Sequence, residues 1–167
     1  MEFDIDVSGE DLLSKDYTIC IASEKIIRGY KITTNFINII NSKFGQGIYK
    51  YDKSQKGKAN LKVRIYCLAL YYLFKSIYPK IKDKKIILNI CRDFSSKENQ
   101  IKLNIQSLLV KNLKLNLDID DLNFSRLDPK SNAHRYSYLM RMDFKNQFKE
   151  NYVNIRIEDI EKYLIKE

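Results

Sequence analysis

Residues 2–8, Glu2-Phe3-Asp4-Ile5-Asp6-Val7-Ser8, alternate strictly, so that Phe3, Ile5 and Val7 point one way and Asp4, Asp6 and Ser8 the other. A period of two marks a strand with unlike faces. If this strand were at a sheet edge, both acids would be solvated. If it is central, a helix covers the acidic face too, and a buried carboxylate there costs several kcal/mol unless a cation or donors meet it. Gly9 marks the loop that follows, and the β-branched and aromatic runs Tyr17 to Ala22 and Ile26 to Ile32, split by Ser23-Glu24-Lys25, read as a hairpin. Three sequential strands pair as a meander, which leaves the first strand free to pair on its other side.

A second decisive stretch is Ile86 to Cys91, apolar except for Asn89 and followed by Arg92-Asp93. Such a run is expected in a sheet with helices on both faces. A short helix is predicted after Thr33 or Thr34. A long one is predicted from Ala59 to Tyr78, apolar nearly all round and therefore central. Ser95 or Ser96 is expected to cap a helix through Leu109, with a further strand at 113–118 or 122–127. Asp128-Pro129 precedes a helix from about 130 to 148, and 149–167 is expected to form a strand-helix extension. Strands near 2–8, 16–23, 25–32 and 85–91 complete a five-stranded mixed sheet flanked by helices, an α/β domain spanning 1–167.

A chain of 167 residues can bury a full core, and 44% hydrophobic with 31% charged residues suits a globular protein. No stretch approaches the roughly 18 apolar residues of a membrane span, so no membrane partner is expected. The opening Met1-Glu2-Phe3-Asp4 is acidic where a secretory leader is basic and then apolar, and a cytoplasmic location is expected. Cys20, Cys67 and Cys91 lie in apolar runs without paired spacing, which suits core thiols in a reducing compartment. The net charge of +9 invites a nucleic-acid partner. Lys-rich compositional drift competes, since only seven of the 30 basic residues are Arg. Residues 45–58, with Gly45, Gly47 and Gly57, read as a basic mobile loop. Its Lys50, Lys53, Lys56 and Lys58 could hold a phosphate backbone, with Tyr49 and Tyr51 as stacking surfaces.

Three places could carry chemistry. Asp6 is on the acidic face of the first strand. Asp93 follows a parallel-type strand at its carboxyl end, where open α/β sheets place their ligands; alternatively it belongs to the next helix cap. Two carboxylates from neighbouring strand ends can bridge Mg²⁺ or Mn²⁺. The lone His134 lies in the first turn of a helix, flanked by Lys130 and Arg135, with Asp128 its expected companion. Asp143, nine residues on, faces the opposite side of that helix.

An acid on the first strand, a meander, a helix, an acid ending the fourth strand and an acid or histidine at the last helix together resemble the ribonuclease-H-like superfamily. Asp6-Val7-Ser8-Gly9 resembles the Asp-x-small-Gly opening of ribonuclease HII, and Lys130 to Tyr136 is similar in position to the terminal acid-or-histidine helix of junction resolvases and Argonaute nucleases. An archaeal family of this fold is the expected kin. The resemblance covers roughly 1–148. It departs where ribonuclease HII has Glu after its first Asp, since Val7 stands here, and residues 59–78 carry no acid. It implies Asp6 and Asp93 holding Mg²⁺ or Mn²⁺, with Glu10 as a substitute ligand from the loop and His134 or Asp128 completing a catalytic set. The implied activity is phosphodiester hydrolysis on RNA, an RNA–DNA hybrid or branched DNA. The alternative is a non-catalytic module on the same fold that binds nucleic acid or protein. The oligomeric state stays open.

Overall fold

The computed structural model describes residues 1–166. Its strands are β1 (Glu2–Ser8), β2 (Tyr17–Ala22), β3 (Ile27–Ile32), β4 (Ile87–Cys91) and β5 (Leu122–Ser125), in the spatial order β3-β2-β1-β4-β5. β1–β2 and β2–β3 pair antiparallel, whereas β4 joins β1, and β5 joins β4, in parallel. The chain is thus α/β, with a mixed five-stranded sheet flanked by helices. β1 lies at its centre, so the acidic face of residues 2–8 belongs to an interior strand.

The helices are α1 (Thr34–Gly45), α2 (Gln55–Ser76), α3 (Tyr78–Ile81), α4 (Glu98–Ile105), α5 (Asn132–Arg141) and α6 (Ile157–Glu161). α2 covers the apolar face of β1, where Phe3 meets Phe74 edge to face at 5.3 Å. Leu61, Val63, Ile65, Leu68, Leu70, Leu73 and Phe74 are wholly buried, as the all-round apolar pattern requires. α5 covers the other face over a thin layer of small residues, Cys20, Ala22 and Ala133, with Leu127. Gly29 on β3 belongs to this arrangement, because a Cβ there would stand 2.3 Å from the Met140 sulfur. The close approach of α5 brings His134 and Arg141 within reach of β1.

Several expectations are corrected. Residues 45–58 are not one loop. α1 runs through Gly45 and α2 starts at Gln55, capped by Ser54, so Lys56 and Lys58 are helical. Tyr49 is no stacking surface: it is fully buried, gives its hydroxyl hydrogen to Glu161 at 2.6 Å, and pairs by backbone with Ile165. Lys43 completes that buried knot with Glu161 at 2.7 Å. Tyr51 packs against the core while half-buried. Neither Ser95 nor Ser96 caps α4; Lys97 precedes it without a side-chain cap, and Ser96 has a φ of 57°. The turn Gln106–Asn112 continues α4 with wider π-type winding. Of the two candidates for the fifth strand, 122–125 forms it, and 113–118 contributes only the bridge of Asn116 to Lys85. α5 stops at Arg141, not 148, where the Asp143 carboxylate accepts from the backbone N–H groups of Gln147 and Phe148 and turns the chain. Among the described residues the extension expected to hold a strand has none; Tyr152 alone bridges Gly29 before α6.

Gly57 explains how α2 begins. Its N–H donates to the Ser54 hydroxyl at 3.0 Å, and a Cβ at this position would sit 2.0 Å from the backbone oxygen of Asp52. Helix propensity alone favours Gly57→Ala by about 1 kcal/mol. The backbone clash should reverse that sign, giving a loss of roughly 1–3 kcal/mol in urea unfolding. A stabilised variant would contradict this close approach.

Candidate metal centre

The register Ile5 with Ile90 puts Asp6 level with Cys91 on adjacent parallel strands, both on the α5 side of the sheet. Beyond Cys91 the chain turns sharply, the Asp93 N–H donating to the Cys91 carbonyl at 3.0 Å, and this folds the Asp93 side chain back over the strand ends. One carboxylate oxygen of Asp6, the Cys91 sulfur and one carboxylate oxygen of Asp93 all lie within 4.8 Å of one another. This is the convergence at the carboxyl ends of neighbouring parallel strands where α/β sheets bind ligands.

Asp6 is 3% exposed. Its Oδ1 accepts from the Val7 N–H at 2.8 Å, and its Oδ2 lies 2.7 Å from His134 Nδ1. His134 is delivered by the N-terminal turn of α5, where the Ser131 hydroxyl accepts from its N–H at 3.1 Å. The imidazole is half-exposed and touches Asp6 from outside the three-residue group, leaving Nε2 turned away from the bond that orients the ring. One helical face further on, Arg141 Nε donates to the Ser8 hydroxyl at 2.8 Å. α5 is therefore fastened to the acidic face of β1 at two points.

Burial raises the proton affinity of the Asp93 carboxyl above the ordinary carboxylate range, and the negative charge of Asp6 adds to it; the Cys91 thiol and His134 act in the opposite direction. The Cys91 thiol is pushed up to about 12 by burial and by the charges of Asp93 and Asp6, so it stays protonated at neutral pH. Crowded carboxyl groups with altered proton affinity are a common mark of functional sites. The donor set suits a hard divalent cation, which takes carboxylate oxygens and leaves a protonated thiol as a neighbour.

The other candidates have different places. Glu10 lies outside the group, exposed in the loop after β1, lining a cleft of about 310 Å³ with Lys15, Asp16 and Arg141. Asp128 is not the companion of His134; its carboxylate accepts from the Lys130 N–H at 2.8 Å and shapes the turn into α5. Asp143 is held by Tyr152 and the backbone. Lys130 and Arg135 are exposed beside His134. α2 reaches the same end of the sheet through Lys62 with Asp11 at 2.6 Å and Tyr66 against Phe94 at 4.9 Å, and Lys58 and Lys56 lie further along toward its N-terminus. Lys50 is elsewhere, in a cleft with Arg64, Lys162 and Lys166, and Lys53 stands over Gly47. Cys91 is the member that the sequence did not signal, because an apolar run disguised it; its spacing of two from Asp93, at the end of a parallel strand, was the available clue.

Comparisons with protein-family models, with curated proteins and with solved structures give no match to this chain.

Proposed function

We propose that the protein is a metal-dependent nuclease on a ribonuclease-H-like fold, hydrolysing phosphodiester bonds of RNA, an RNA–DNA hybrid or branched DNA. The observation that carries the reading is the convergence of Asp6 and Asp93 within 4.8 Å at the ends of two central parallel strands. The meander, the acid on the central first strand and the acid ending the fourth are the arrangement that the resemblance implies. The basic side chains at the same end of the sheet, Lys56, Lys58, Lys130 and Arg135, suit a phosphate backbone.

In this reading Asp6 and Asp93 would hold Mg²⁺ or Mn²⁺, which would supply charge stabilisation at phosphate oxygens and a more acidic water. Asp6 supplies a fixed, water-excluded anion. His134 holds the Asp6 carboxylate in one orientation through Oδ2. Asp93 would meet the cation through its carboxylate, and the cation would offset the burial and the Asp6 charge that raise its proton affinity in the metal-free site. Cys91 keeps its proton and stands beside both acids. The lysines and arginines bind and orient the strand.

One observation favours the alternative of binding without cleavage: α2 carries no Asp or Glu, and Glu10 stands apart from the group. The test is a cleavage panel of RNA, hybrid, duplex and junction substrates with Mg²⁺ or Mn²⁺. Cleavage supports the nuclease; uniform inactivity of folded, metal-supplied protein supports the binding module.

A further inference from the structure

The exposed surface of α5 is unusual for a helix that packs on a sheet. Tyr138 is 53% exposed, Met142 44% and the following Phe144 76%. His134, Tyr138 and Arg141 are spaced i, i+4 and i+7, so they form one ridge along the helix. The ridge starts at the residue bound to Asp6 and ends at the residue bound to Ser8. The Arg141 guanidinium lies over the Tyr138 ring, 5.7 Å from its centroid. The charge of its own segment is one-sided. Residues 126–149 hold six basic side chains and two acids, and both acids are engaged by backbone N–H groups, Asp128 by Lys130 and Asp143 by Gln147 and Phe148.

An apolar ring exposed among cations, with both acids of its own segment engaged and Glu10 and Asp16 confined to the cleft beyond Arg141, matches a polyanion that also presents flat apolar faces. Base faces in a duplex are covered by their neighbours; in a single strand they are open to an aromatic side chain. Resting on the nuclease reading for the site it adjoins, we infer that the His134–Tyr138–Arg141 ridge receives a single-stranded nucleic-acid segment. An unpaired base stacks on Tyr138, and the adjoining phosphates meet Arg141 and Arg135. The ridge carries the strand across the end of β1, so that the backbone passes Asp6 and Asp93. The substrate class is therefore single-stranded, or has an unpaired stretch at the scissile position.

The experiment is fluorescence anisotropy with 5′-labelled oligo-uridine and oligo-thymidine of 12 nucleotides and with a 12-base-pair duplex, in EDTA without divalent cation. Cleavage and metal binding play no part under these conditions, so a failure of the nuclease reading leaves the result unchanged. The single strands should bind more tightly than the duplex. Tyr138→Ala should weaken them by roughly 5- to 150-fold, the value of one base–aromatic stack. Tyr138→Phe should stay within about twofold of the parent, since it keeps the ring. Equal binding of single strand and duplex, or an unchanged affinity in Tyr138→Ala, would overturn the proposal. So would a parent protein that binds neither and self-associates through this face, or that takes an acidic peptide in its place.

Discussion

On the proposed nuclease reading, Asp6→Asn is expected to slow phosphodiester cleavage on the order of a thousandfold, or about 4 kcal/mol of transition-state stabilisation, while the protein stays folded. Asn keeps the shape and the acceptor that meets the Val7 N–H at 2.8 Å, but it loses the charge that would hold a cation. The fold tolerates the change because His134 is half-exposed and its Nδ1 can return to water. Removing a buried carboxylate also removes a desolvation cost. On the same reading nucleic-acid affinity should be preserved or improved, since one anion near the phosphates would be gone. Cleavage by Asp6→Asn at the parent rate, with circular dichroism showing intact structure, would remove Asp6 from the chemistry.

The second large effect is on stability and concerns Asp93. Its carboxyl has a higher proton affinity in the folded chain than in the unfolded one, through burial and the neighbouring Asp6 charge. Between the two values the folded state binds more protons, so stability falls as pH rises through the window that opens near the ordinary aspartate value of 3.8. Without metal, Asp93→Asn is therefore expected to melt at a higher temperature than the parent at pH 7 and at the same temperature near pH 3. If the site takes a divalent cation, adding one is expected to reverse the order. At 100 times its dissociation constant, Mn²⁺ should stabilise the parent by about 2.7 kcal/mol and the variant by much less. A variant less stable than the parent in EDTA at pH 7 would show that the ionised Asp93 contributes to the fold rather than straining it.

The parts of the fold that the sequence made legible are those with a clean period. Strict alternation in residues 2–8 put Asp6 and Ser8 on one face, and α5 now engages that face at His134 and Arg141. The unbroken apolar run of 86–91 marked an interior parallel strand, with Asp93 just beyond its end. Legibility failed where long-range contacts override local signals. The glycines of 45–58 read as a loop, yet Gly57 permits a helix start, and Tyr49 is drawn into the core by Glu161, 112 residues away. The tail looked like a strand because Val153 and Ile155 alternate, but only Tyr152 reaches a bridge with the sheet. At the site, the partner of His134 was unreadable: Asp128 is near in sequence, whereas the 2.7 Å contact is to Asp6, 128 residues away. Cys91 joined the acids because the parallel register sets it beside Asp6.

The most direct measurement is a titration of the parent, Asp6→Asn and Asp93→Asn with Mn²⁺, following free Mn²⁺ by electron paramagnetic resonance at pH 7. Nucleic acid is absent, so the result depends only on the carboxylates of β1 and of the turn after β4. The parent should remove Mn²⁺ from solution at a site that saturates, and each single variant should weaken that site at least tenfold, the order of effect for losing one charged ligand. Mn²⁺ bound equally by all three proteins, or by none, would contradict a cation shared between Asp6 and Asp93.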